Sequence, residues 1–253
     1  MIPNIIHFLF FGFTDFEFFH YLAIVTAYNV QKPDKIYLYN QKEPINNKYW
    51  LLIKKYVEIV HIDPPTEFKG IKLESYQYKA DIVRMEKLLE HGGIYLDIDV
   101  LVLKPFHHLL EYNCVVGAES GPSDTTNINE IGSITNAVLM CEPNHPFIKK
   151  WYDSIADNIV GKCWAYHAVC LPKILLLDNS DNVHIEPKRS FMPFCFRDKY
   201  IFNTNDKDRK SELNDSYTIH LWETIWLKPI LKHIDYEWMK ENDCIFSELF
   251  SGY

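Results

Sequence analysis

The chain has 253 residues, 47% of them hydrophobic and 15% aromatic, enough to bury a sizeable core, which excludes a disordered chain and a disulfide-stapled mini-domain. Twenty-six Lys and Arg against 34 Asp and Glu give a net charge of −8 with no basic run, which argues against a nucleic-acid partner. The six cysteines form no C-x-x-C pair, so neither a zinc ribbon nor a thioredoxin-like site is signalled, and they read as buried free thiols.

Residues 5–11 form a continuous apolar run ending at Gly12, the pattern of a buried strand. A helix is expected over 16–29, stopped at Lys32-Pro33-Asp34. A strand over 35–40, a helix over 47–56 and a strand over 57–62 follow, and this alternation predicts right-handed crossovers and a mainly parallel sheet. After a polar connection over 66–75, Tyr78, Ile82, Met85 and Leu89 recur at helical spacing over 76–91, with Gly92 where a left-handed C-cap belongs. Residues 94–103 read as one strand interrupted by two acids, Asp97 and Asp99. Residues 119–131 read as a mobile loop. An apolar run over 134–140, helices over 146–158 and 165–177, a charged loop over 206–214 and a final strand over 217–222 complete the chain. The N-terminus carries no secretory signature and no segment reaches the ~18 apolar residues of a membrane span, so the expectation is a soluble, cytoplasmic protein.

Positions two apart in a strand share a face, so Asp97 and Asp99 are expected to project together, ~6.5 Å apart along the backbone. Either the pair marks a solvated strand end, or it is a ligand pair for a hard divalent ion, Mn²⁺ or Mg²⁺, at the carboxyl edge of the sheet. Asp81 and Arg84, three apart on the preceding helix, are a surface ion pair or, beside the acids, groups for sugar hydroxyls and phosphate. His220, in an apolar strand, is a core histidine or a further ligand.

Ala80-Asp81-Ile82-Val83-Arg84 followed by Gly92-Gly93-Ile94-Tyr95-Leu96-Asp97-Ile98-Asp99 resembles the signature of the family 32 glycosyltransferases, the group of Och1-type mannosyltransferases and capsular-polysaccharide enzymes. Ile2-Pro3-Asn4-Ile5-Ile6-His7 with Phe10-Phe11-Gly12 is similar to the family's first strand, Thr135-Asn136-Ala137-Val138-Leu139-Met140 to its acceptor-side segment, and His220-Leu221-Trp222-Glu223-Thr224-Ile225-Trp226 to its C-terminal element.

The resemblance implies one α/β domain of GT-A fold with C-terminal helical additions, its nucleotide-sugar half over about 1–105 and its acceptor-side half over about 106–253. It implies retaining transfer of a hexose from a nucleoside-diphosphate sugar, UDP- or GDP-linked, to a glycan, lipid-linked or protein acceptor. By the same resemblance Asp97, Asp99 and Arg84 are catalytic, and Asp99, Asp97 and His220 hold the metal. Phe10, Asp81, Arg84, Asp97, Asn136 and Trp226 bind the donor, Phe10 standing where relatives carry a Trp that stacks on the nucleobase. Ile225 replaces the usual Ser before the second Trp, removing a hydroxyl, so that either catalysis is slower or Thr224 substitutes for it.

Two rivals are a haloacid-dehalogenase-like phosphatase with Asp97 as nucleophile, and a carbohydrate-binding protein that keeps the scaffold without turnover. About ninety residues before Asp97 run against the first, and the retained acids against the second.

Overall fold

The computed structural model describes residues 1–12, 15–159, 161–163, 165–178, 182–226 and 229–253. Its strands are β1 (Ile5–Phe10), β2 (Lys35–Asn40), β3 (Glu58–His61), the hairpin β4 (Glu67–Phe68) and β5 (Ile71–Lys72), β6 (Gly93–Leu96), β7 (Val100–Val102), β8 (Cys114–Ser120), β9 (Ser133–Cys141), β10 (His184–Glu186) and β11 (Thr218–His220). Seven of them form the central sheet in the order β10-β8-β9-β6-β1-β2-β3. All of its pairings are parallel except those of β9, which runs antiparallel to β6 and β8.

The helices that position the site are α1 (Phe18–Thr26), α2 (Lys48–Ile53), α3 (Tyr76–His91) and α4 (Pro146–Ser154). Each start is legible in the chain. Glu17 and His20 close a capping box on α1, the Asn47 side chain accepts from the amides of Tyr49 and Trp50 on α2, and Ser75 accepts from Tyr78 on α3. Helix α1 runs on through a π turn to Gln31 and ends at Lys32 in the left-handed region.

The sheet separates two cores, and strand parity assigns each residue to one of them. Ile6, Phe8 and Phe10 of β1 face the core under α1, α2 and the C-terminal helices, whereas Leu9 and the following Phe11 face the core under α3 and α4.

Three expectations need correcting. The strand expected over 94–103 is two strands, since the chain turns between β6 and β7 and the Val100 amide bonds to the Asp97 carbonyl at 2.9 Å. Gly92 has positive φ (63°) but extended ψ (−158°), so it ends α3 without the left-handed cap; a Cβ there would meet Cys141 O and the Pro143 ring at under 3 Å. Of the six free cysteines only Cys114, Cys141 and Cys244 are buried, whereas Cys163 is exposed and Cys170 and Cys195 are half-buried. Among the described residues no helix is long and apolar enough to cross a membrane.

Candidate active site

Where β1 and β6 end, the sheet opens into a cleft of about 370 Å³. The turn after β6 forms its floor and brings the two acids together. The antiparallel pairing of β7 with β11 sets His220 opposite Val100, next to Asp99. One ligand atom each from Asp97, Asp99 and His220 lies within 4.8 Å of the others. The acids converge through a turn, not through strand alternation.

Each member of this trio has its own support. His220 Nε2 lies 3.1 Å from Asp99 Oδ1, the Glu223 amide donates to Asp99 Oδ2 at 2.7 Å, and the Leu221 amide donates to the Asp99 carbonyl at 3.0 Å. Burial tends to raise the Asp99 pKa, but the His220 charge and these hydrogen bonds outweigh it and hold Asp99 below the usual carboxylate range. His220 is shifted up: burial opposes its charge, and Asp99 overcomes burial. Asp97 is pushed up by burial and by the Asp99 charge, against the pull of Arg84.

Asp97 Oδ1 accepts from Tyr95 OH at 2.7 Å and pairs with Arg84 Nη1 at 3.1 Å. Arg84 also pairs with Asp81 at 3.1 Å through Nη2 and donates to the Asn136 carbonyl through Nη1. Asp81 is held further by the Asn136 amide and by His167 Nε2, both at 2.8 Å. So Asp81 and Arg84 are not a surface pair: both are buried and brace Asp97 from behind.

The structure separates the expected donor residues into two groups. Asp81, Arg84, Asp97, Asp99, Asn136 and His220 line one cleft. Phe10 and Trp226 do not. Phe10 is 2% exposed, packed on Phe16 and Trp50, because its parity in β1 points it into the core under α1; Leu9 and Phe11 line the cleft instead. Trp226 is fully buried, stacked on Phe194, with its indole N–H on the Phe196 carbonyl, whereas Trp222 lines the cleft, its ring 4.4 Å from His220 and its backbone at φ 51°. Thr224 and Ile225 are also at the cleft, and both are exposed.

Sequence reasoning missed Glu223, His20, His167 and Glu119. Glu223 Oε1 accepts from His20 Nε2 at 3.1 Å, while His20 Nδ1 accepts from the Glu17 amide at 2.9 Å. Burial raises the Glu223 and Glu119 carboxyls. Among the described residues, five carboxylates (Asp81, Asp97, Asp99, Glu119 and Glu223) line the cleft with one guanidinium, Arg84, and that cation is committed to two of them. Such a surface repels a diphosphate unless a further cation joins it. The donor set, two carboxylates and an imidazole whose buried Nδ1 has no partner among the described residues, fits Mn²⁺ or Mg²⁺.

Residues 19–116 match the family described as glycosyltransferase sugar-binding region containing DXD motif. That region spans Asp81, Arg84, Asp97 and Asp99, and the surrounding architecture is of GT-A type, an α/β fold with a mostly parallel sheet. The chain is 29% identical over 238 residues to glucan organizing enzyme 1 of Cryptococcus neoformans var. grubii serotype A, covering 93% of this chain and 64% of that protein. It therefore spans somewhat less than two thirds of that relative. Its fold is similar to the PaToxG glycosyltransferase (TM-score 0.50, 17% identity, 99% of this chain and 86% of that one). It is also similar to the bifunctional glycosyltransferase WbbM (TM-score 0.51, 9% identity, 87% and 46% of the two chains).

Proposed function

We propose that the protein is a metal-dependent, retaining glycosyltransferase that moves a hexose from a UDP- or GDP-sugar to a glycan, lipid-linked or protein acceptor. The observation that carries this reading is the convergence of Asp97, Asp99 and His220 on one point, inside the region that matches a DXD sugar-binding family. On this reading residues up to about 105 form most of the nucleotide-sugar half, and His220 from the acceptor-side half completes its metal cluster. The name of the fungal relative makes a glucan the acceptor class to try first.

Asp97, Asp99 and His220 would hold a divalent ion, which would supply the positive charge that stabilises a departing diphosphate. The protein's own groups then have positioning work. His220 and the Glu223 amide fix the two oxygens of Asp99, and Arg84 with Tyr95 fixes Asp97. Arg84 is engaged by two carboxylates and a carbonyl, so we assign it to holding Asp97 in place, with donor binding affected through that acid. In a front-face displacement the acceptor O–H adds to the anomeric carbon as the C–O bond to phosphate breaks, and the proton passes to the departing phosphate.

The test is Mn²⁺-dependent release of nucleoside diphosphate from a panel of UDP- and GDP-sugars, with and without glucan oligosaccharides. One donor should be consumed by wild type and none by Asp99→Asn. Release that is equal in the presence of a metal chelator contradicts the proposal.

A further inference from the structure

The sheet carries two irregularities, and both fall at the cleft. Between β8 and β9, Val116 pairs with Leu139 and Gly117 with Thr135, so residues 136–138 of β9 have no partner on β8; one of them is Asn136, which braces Asp81 and Arg84. Two steps further on, Ala118 pairs with Ile134 and Ser120 with Ser133, which leaves Glu119 as the extra residue of a second bulge. A bulge re-aims a side chain that strand alternation would fix elsewhere, and here the residue so placed lines the cleft.

Glu119 differs from the other carboxylates there. Asp81, Asp97, Asp99 and Glu223 each accept at least one hydrogen bond from the protein. Glu119 has neither a hydrogen bond nor an ion pair among the described residues, and it is half-buried. It is coupled electrostatically to His220 and Asp97 but lies outside the cluster they form with Asp99. A carboxylate partly desolvated without a partner costs some free energy, and that cost is recovered when a ligand brings donors. The surrounding negative charge excludes an anionic group as that ligand.

Resting on the nucleotide-sugar reading above, we propose that Glu119 is a specificity-determining residue for the donor, its carboxylate accepting hydrogen bonds from hydroxyls of the sugar joined to the nucleoside diphosphate. A diphosphate at the Asp97–Asp99–His220 cluster carries its sugar alongside, within reach of groups that flank the cluster. Glu119 is the flanking acceptor whose capacity is unspent.

The experiment compares binding of UDP, UDP-glucose, UDP-galactose, UDP-N-acetylglucosamine, GDP and GDP-mannose, each with Mn²⁺, to wild type, Glu119→Gln and Glu119→Ala by calorimetry. Wild type should bind one sugar nucleotide more tightly than its parent diphosphate. In Glu119→Ala that sugar nucleotide should weaken roughly ten- to a hundredfold, the range for hydrogen bonds to a charged acceptor, while the diphosphate keeps its affinity. Glu119→Gln should fall between. Neither variant should unfold at a lower temperature than wild type, since the side chain pairs with nothing among the described residues. Equal weakening of diphosphate and sugar nucleotide, no weakening of either, or no gain from the sugar in wild type overturns the role of Glu119. Wild type that binds neither UDP nor GDP with Mn²⁺ overturns the nucleotide-sugar reading, and this inference with it.

Discussion

The backbone amide of Glu223 donates to Asp99 Oδ2 at 2.7 Å, while the Glu223 side chain turns back to accept from His20 at 3.1 Å. One residue thus ties a candidate metal ligand at the cleft floor to α1. The link joins positions 20, 99 and 223, and it fixes where the short helix Glu223–Trp226 starts.

Because His20 is fully buried and Glu223 is only 6% exposed, removing the imidazole strands a carboxylate away from water. His20→Ala should destabilise the fold by about 3 kcal/mol or more. Glu223→Gln, which keeps an oxygen for the His20 N–H, should cost less than about 1 kcal/mol. Urea denaturation of both variants checks the contrast; equal losses would show that the pair contributes through packing alone.

Arg84 is buried between Asp81 and Asp97, so truncation leaves the buried Asp81 and the half-buried Asp97 without their shared cation. Arg84→Ala should lose about 3–5 kcal/mol of stability. Thermal unfolding of Arg84→Ala should therefore show a clearly lowered midpoint before any effect on donor use is read. An unchanged midpoint would contradict the brace.

His7 lies in a ring stack with Tyr37, Tyr39 and His91, accepting from Tyr39 OH and donating to the Gly92 carbonyl. Burial lowers its pKa from 6.5 to about 4. The unfolded chain therefore binds a proton here first. Stability from this site is complete above pH 6.5, declines as pH falls toward 4, and is worth about 3 kcal/mol in all. His7→Asn should flatten the slope of stability against pH in that window, as measured by urea midpoints from pH 4 to 8. An identical slope would remove His7 as its source.

Much of the scaffold was legible in the chain. Strand β2 occupies residues 35–40 and α3 residues 76–91, as period and caps predict. Local signals were weaker where the backbone departs from regular geometry. The two acids meet because the chain turns between β6 and β7, and nothing in the aliphatic run from Ile94 to Leu103 marks that turn. Phe10 and Phe11 are indistinguishable by type, and strand parity alone sends the first into the core and the second to the cleft. The braces were the least legible, since His20 meets Glu223 across 203 positions and His167 meets Asp81 across 86. Each is a lone histidine in sequence, and only the packed sheet supplies its partner.

Asp97, Asp99 and His220 are proposed to hold a divalent ion. Titration of Mn²⁺ into wild type and Asp99→Asn, followed by electron paramagnetic resonance of the free ion in the presence of UDP or GDP, tests it directly. Wild type should take up one Mn²⁺ per chain at this site, and Asp99→Asn should bind it at least tenfold more weakly while unfolding cooperatively. Equal uptake by the two proteins would place the ion elsewhere and contradict the account.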